Sequence, residues 1–342
     1  MISGEMFING LIQVIAAILM ALFALFLGLI YKGIDRKLSA RLTSRVGPPI
    51  RQPFRDVGKL LVKENIVPEN AIDWLFNSMP IVSLAASLLL VLYVPLGPFY
   101  ALYGGFGDII LILYLLTVQS LAMTIGGFSS GAPFATVGAQ REMVLMMSYE
   151  IPLAIVFVGI AWFLTPYTAT PFSLMEIYTH PIWNYVGIAG FFGVILLMVL
   201  LLIAMPAELS KIPFDIAEAE TEIAGGILSE YSGRNLAMFY LSDALRGFIM
   251  TAIFVAIFFP YNISPLISPY LPLNNLYLTV FNYIVDFLFF LFKVFLVYFF
   301  FVTVVRTGFA RLKIDQASKL YWGTVFLLGI VGLLLLWIDT IM

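Results

Sequence analysis

The chain gathers its acids between Ala207 and Gly226, where Glu208, Ser210, Lys211, Asp215, Glu218, Glu220 and Glu222 interrupt an otherwise apolar sequence. Carboxylates crowded at the edge of an apolar phase repel one another and lose hydration, and both effects favour neutral or shared-proton forms. A row of such groups can pass protons. The stretch leaves one apolar run and is read as starting a further helix. Glu218 and Glu222, four residues apart, then share a helix face, and Asp215 and Glu208 continue the acidic line toward the membrane. A solvated loop whose acids pair with Lys211 and with arginines elsewhere accounts for the same residues equally well.

A second constellation follows Gly138-Ala139-Gln140-Arg141. Glu142 and Glu150 lie eight residues apart, about two helical turns, and fall near one face. Glu150 heads into apolar sequence, where an unpaired carboxylate is costly and marks function by default; the plainer reading pairs these acids with Arg141 or another cation. Asp243 and Arg246 read as a structural pair on one helix. Asp286 and Lys293 share a helix face. Lys293 falls near the middle of an apolar run, where an ion pair, docking onto a neighbouring subunit or conduction all explain an ammonium. His180, beside Pro181, reads as a surface residue.

There is no Cys and a single His. That excludes Cys-ligated iron–sulfur clusters, c-type haem attachment, Cys-rich zinc sites and disulfides. The sequence has no phosphate loop, nucleotide fingerprint, Ser-His-Asp candidate or metal-ligand cluster. We therefore expect no catalytic residue, no metal and no cofactor bound by this chain; any electron transfer must run through a partner chain.

These residues sit between long apolar runs. The 342 residues are 62% hydrophobic and 11% charged, against about 25% charged in soluble domains. Runs near twenty residues recur, each long enough to cross a bilayer core of about 30 Å. They lie near 8–31, 76–96, 108–128, 150–165, 185–205, 237–259, 279–305 and 319–340. The expected fold is all-α: one integral membrane domain, 1–342, with about eight transmembrane helices in the cell membrane. The first run is long and has no Lys or Arg before Lys32, so it reads as a retained helix rather than a cleaved signal. A net charge of −2 gives no basic balance for nucleic acid.

Basic residues set the orientation. The loops near 97–107, 166–184 and 260–278 hold no Lys or Arg. Those near 32–75, 129–149, 206–236 and 306–318 hold nearly all of them. The latter four are expected in the cytoplasm and both termini outside. In the first of them, Gly47-Pro48-Pro49 makes a turn. The amphipathic stretch from Asp56 to Glu64 is expected to lie in the membrane interface.

The run Glu208-Leu209-Ser210-Lys211-Ile212-Pro213-Phe214-Asp215 through Glu218-Ala219-Glu220-Thr221-Glu222, followed by Glu230-Tyr231-Ser232-Gly233, resembles the signature of the complex I heel-subunit family. That family includes the eight-helix heel subunit of respiratory NADH:quinone reductase and its counterparts in energy-converting membrane-bound hydrogenases and sulfur-reducing complexes. Asp35-Arg36-Lys37 with Arg45-Val46-Gly47-Pro48 and Lys59-Leu60-Leu61, Gly138 to Glu150, and Arg306 through Asp315-Gln316 agree, in order along nearly the whole chain. Respiratory members carry a longer first-loop motif. Here Gly47-Pro48-Pro49-Ile50 runs directly into Arg51-Gln52-Pro53, and this form, with Arg141-Glu142-Met143, is similar to the hydrogenase and sulfane sulfur reductase branch. The shortened stretch belongs to the loop that lines the family's quinone chamber.

The resemblance implies a membrane-anchoring and coupling subunit of an oxidoreductase complex, linking electron transfer in a peripheral arm to proton or sodium movement. Its implied partners are peripheral iron–sulfur subunits, a hydrogenase-like large subunit that can hold nickel–iron, small membrane subunits, antiporter-like subunits, and ferredoxin as electron donor. Carried over by motif, Glu142, Glu150, Glu208, Asp215, Glu218, Glu220 and Glu222 form the coupling path, and Arg36, Arg41, Arg45 and Arg141 are basic partners at the docking face. A quinone-site subunit and a stand-alone secondary transporter are the alternatives; repeat symmetry around a midplane site would mark the latter.

Overall fold

The computed structural model describes residues 4–105, 108–267 and 275–341. Among them lie eight helices long and apolar enough to cross a membrane, and no strand. Backbone groups in hydrocarbon must be satisfied within the segment, which leaves the helix as the spanning element for such runs.

Several helices outrun the apolar signal. Helix α1, Gly4–Leu42, continues past the expected end near 31 and carries Lys32, Asp35, Arg36, Lys37 and Arg41 on its last turns. It stops where Ser44 and Gly47 take positive φ. A short amphipathic helix α2, Gln52–Val62, follows; its Val57 joins Leu29 of α1 in a small buried cluster. Helices α3 (Asp73–Tyr93) and α4 (Asp108–Ser129) form a tightly packed pair. Helix α5, Pro133–Phe163, begins on a proline, whose missing N–H costs nothing in a first turn. At 31 residues it is about 46 Å long, longer than a bilayer core. The stretch 129–149, expected as a loop, is therefore largely helix. The reason is local: Gln140-Arg141-Glu142 interrupts the apolar run, and hydrophobicity does not show that the helix continues through the break.

The outer connection carries α6, Leu174–Thr179, and α7 spans Ile188–Glu208. After α7 the acidic stretch does not form the expected helix. It runs through turns to a four-residue helix α8, Glu220–Ile223, so Glu218 lies outside any helix and does not share a helical face with Glu222. Pro213 removes a donor, and Ala224, Gly225 and Gly226 all take positive φ, which ends α8 at once.

Helix α9, Gly233–Phe258, is the axis of the bundle: 89% of its apolar window is buried, against 22–56% in the other seven spans. It packs against α1, α3, α7 and α11. Helices α10 (Ser264–Ile267) and α11 (Asn275–Tyr298) lead through a π-helical turn, Phe299–Val304, to α12 (Val305–Gly308). The last span runs from Ile314 to Ile341, comprising α13 (Ile314–Lys319), a π turn and α14 (Phe326–Ile341). Lys319, expected at a loop edge, is thus within helix.

Candidate functional site

The basic end of the bundle holds a cavity of about 490 Å³. Eleven of its nineteen lining residues are Lys, Arg, Asp or Glu. They come from four stretches of chain that converge at this end. The extension of α1 supplies Lys32, Asp35 and Arg36; the first half of α9 supplies Asp243 and Arg246. The segment after α7 supplies Lys211, Asp215, Glu218 and, at the start of α8, Glu220. The chain after α11 supplies Arg306 and Arg311.

The charges interleave. Asp243 accepts from Lys32 Nζ at 2.6 Å and from Lys211 Nζ at 3.2 Å. Lys32 also lies over the Tyr240 ring. Asp35, 3% exposed, accepts from Arg306 Nη1 at 2.9 Å and from the Thr303 hydroxyl at 2.8 Å; Thr303 sits in the π turn. Asp215 accepts from Arg311 Nη2 at 2.9 Å. Burial pushes the Asp215 carboxyl up from its usual range, and Arg311 opposes the shift. Glu218 has no such guanidinium partner. Its burial outweighs the pull of Lys211 and raises it to about 7. Glu222 is exposed and accepts from Arg141 Nη1 at 2.6 Å, which lowers its pKa.

Deeper, Arg246 on α9 is 3% exposed and donates to Ser120 Oγ at 3.2 Å; Ser120 Oγ and the Tyr149 hydroxyl are 3.1 Å apart. Two carboxylates flank this group. Glu142 on α5 is fully buried, with Oε1 accepting from Ser210 Oγ at 3.5 Å. Glu208, 1% exposed, ends α7. Arg246 faces both electrostatically. Yet Glu142 Oε2 and Glu208 Oε1 have no protein hydrogen-bond partner, and both amide atoms of Gln119 are also unpartnered. Native proteins seldom leave buried polar groups without a partner, so these atoms form a cluster of costly, unpaired polar groups behind the cavity. Glu150, two turns along α5, is half-buried and lies close enough to act electrostatically on Glu208.

The structure thus brings together Glu142, Glu208, Asp215, Glu218 and Glu220 with Arg246 and Arg36. Arg141 pairs with Glu222 rather than with Glu142. Arg36 reaches the cavity rim and donates to Asp56 at 2.9 Å, whereas Arg41 and Arg45 are exposed. The Asp243–Arg246 pair is loose at 4.0 Å; the stronger partners of Asp243 are the two lysines. Asp286 and Lys293 lie apart from the site and do not bond to each other. Asp286 accepts from the backbone N–H groups of Ile263 and Ser264 and from the Ser264 hydroxyl, while Lys293 caps the carbonyls of Phe259 and Tyr261 at 2.7 and 2.8 Å, complementing the C-terminal end of α9. Sequence reading passes over Lys32, Asp35, Ser120 and Tyr149 as site residues. Lys32, Asp35 and Arg36 carry a signal in their i, i+3, i+4 spacing; Ser120 and Tyr149 carry none.

Fold and cavity together define an integral membrane protein of the multi-pass helical class, with its ionisable residues converging at one end of the bundle. The sequence profile of the family described as NADH dehydrogenase matches residues 14–337, and this chain belongs to that family. It is 32% identical to hydrogenase-4 component C of Escherichia coli over 78% of this chain and 82% of that protein. It is 29% identical to the H subunit of the NADH-quinone oxidoreductase of Syntrophotalea carbinolica over 88% and 87%. Among solved structures, a chain of the membrane-bound sulfane sulfur reductase, an archaeal respiratory membrane complex, superposes with a TM-score of 0.79 at 30% identity, covering 95% of this chain and 99% of that one. The protein is a membrane subunit of a complex I-like oxidoreductase.

Proposed function

We propose that this chain couples redox chemistry in a hydrogenase-type or sulfur-reducing peripheral arm to ion translocation, with its basic end in the cytoplasm. The observation that carries the reading is the pair Glu142 and Glu208, fully buried, each with an unpartnered oxygen, behind a cavity of interleaved charge. A buried carboxylate without a full set of partners is costly, and its retention beside Arg246 makes it a group whose charge state can change. Electrons arriving in the arm alter the field at Asp215 and Glu218. Protons then redistribute by way of Ser210 to Glu142 and Glu208, and onward toward Glu150 and neighbouring membrane subunits. Iron–sulfur clusters, and nickel–iron where the arm is a hydrogenase, belong to those partners, and ferredoxin is the donor.

A quinone site is the weaker reading. Ligand pockets for flat apolar rings are mostly apolar, whereas this cavity is walled chiefly by charge.

The test is to reconstitute the complex in proteoliposomes and measure redox turnover and ion movement together. Glu208→Gln and Glu142→Gln should keep the complex assembled and turning over while ion movement collapses. Full ion movement in both variants would falsify the proposal.

A further inference from the structure

A second groove, of about 520 Å³, opens on the outer side of α1 where α2 folds back across it, and it is lined by Phe26, Ile30, Lys37, Ile50, Arg51 and Phe54, with Pro49. Its construction depends on Gly33: a Cβ there would run into the Ile50 carbonyl, so only glycine lets the 49–51 segment lie flat on α1. Phe26 and Phe54 close the membrane side, their ring centroids 5.4 Å apart. Phe26 is 52% and Ile50 40% exposed.

The two ends of the groove differ in chemistry. Toward the basic end stand Lys37 and Arg51, neither of which makes an ion pair or side-chain hydrogen bond among the described residues. The nearby acid, Asp56, is already held by Arg36 at 2.9 Å and Gln52 at 2.8 Å, so it does not neutralise them. Toward the membrane the walls are Ile30, Phe54 and Phe26. From Lys37 to Phe26 the groove follows α1 for about 16 Å. Two such cations above an apolar trough of that length complement a phosphodiester with an acyl chain beneath it. Cations placed at this depth attract anionic headgroups.

We propose that Lys37 and Arg51, with the α1–α2 groove, form a binding site for one anionic membrane phospholipid, its phosphate between the two cations and a hydrocarbon chain along Ile30, Phe54 and Phe26. The site is separate from the charged cavity and independent of the coupling reading.

The experiment places the intact complex in nanodiscs with photoactivatable phosphatidylglycerol or, in parallel, photoactivatable phosphatidylcholine, and maps cross-links by peptide mass spectrometry. With about a five-fold gain per cation, labelling of the peptides bearing Phe26–Ile30 and Pro49–Phe54 should favour the anionic probe by roughly thirty-fold. The preference should vanish in Lys37→Gln/Arg51→Gln and return in Lys37→Arg/Arg51→Lys. Lys63→Gln, at the far end of α2, should leave it intact, and millimolar inorganic phosphate should not displace the probe. Equal labelling by both lipids in the wild-type complex overturns the proposal, and that comparison needs no variant to assemble. A preference unchanged by the double substitution, displacement by a quinone, or groove peptides cross-linked only to a partner subunit overturns it as well.

Discussion

Arg246 is the cation that Glu142 and Glu208 share. Asp243, Glu142 and Glu208 all face it, and it is 3% exposed. Removing one member of a buried ionic set leaves uncompensated charge and costs roughly 3–5 kcal/mol. Arg246→Leu should therefore melt well below the wild-type complex in a detergent thermal-shift assay, with Arg246→Lys recovering part of the loss. A wild-type melting temperature in Arg246→Leu would mean that the acids are neutral without it. Glu218 gives a prediction of opposite character. Its carboxyl holds a proton up to about 7 in the folded chain, against 4.5 ordinarily. Between those values the native state binds more protons than the unfolded state, so stability falls as pH rises through that window and levels off above it. Glu218→Gln removes this slope. Melting temperatures measured near pH 5 and pH 8 should differ more in the wild type than in the variant. Several of these residues are legible in sequence because an ionisable group beside apolar sequence advertises its cost. Which cation each acid meets is not: Arg141 reaching Glu222 and Arg311 reaching Asp215 span 81 and 96 residues, distances over which spacing carries no information.

At the scale of elements, all eight spans can be read from apolar runs, because a bilayer demands about twenty such residues whatever the fold. What the runs cannot show is how far the helices continue into the polar phase, and those continuations build the site. Helix α5 illustrates this. Its first turns, outside any apolar run, carry Gly138, where a Cβ would meet the Ala217 carbonyl and the Ile227 amide, each at 2.8 Å. The acidic segment is thus laid directly on α5 and positioned by it, whereas the sequence pattern assigns that role to a helix that does not form. Gly138→Ala should lift the segment and destabilise the protein by about 1–3 kcal/mol, as overpacking does. The chain lacks Cys, so a single Ala217→Cys, at a position 1% exposed, reports the effect through maleimide labelling. Labelling should be slow in the otherwise wild-type chain and fast when Gly138→Ala is added. Equal rates would show that the segment does not rest on α5.

The whole molecule is polarised. The charged cavity lies at one end, where α1, α5, α9 and the segments after α7 and α11 converge, while the opposite end holds scattered groups: Lys293 on backbone carbonyls, Asp286 on Ser264, and the His180–Glu176 pair at 3.3 Å. The coupling proposal places charge exchange with a soluble partner at the face that holds this cavity. The positive-inside rule predicts that this face lies in the cytoplasm, and the proposed peripheral arm, fed by a soluble donor, would have to dock there. The two requirements are independent, since one concerns insertion and the other electron supply, and they have to agree for the coupling reading to hold. Membrane-impermeant maleimide separates the cases. Ser44→Cys, at an exposed position of the basic end, should label only in inverted vesicles. Thr165→Cys, just beyond α5 at the other end, should label in intact cells. The reverse pattern would open the cavity away from any cytoplasmic electron donor and would remove the coupling proposal, whatever the chemistry of Glu142 and Glu208.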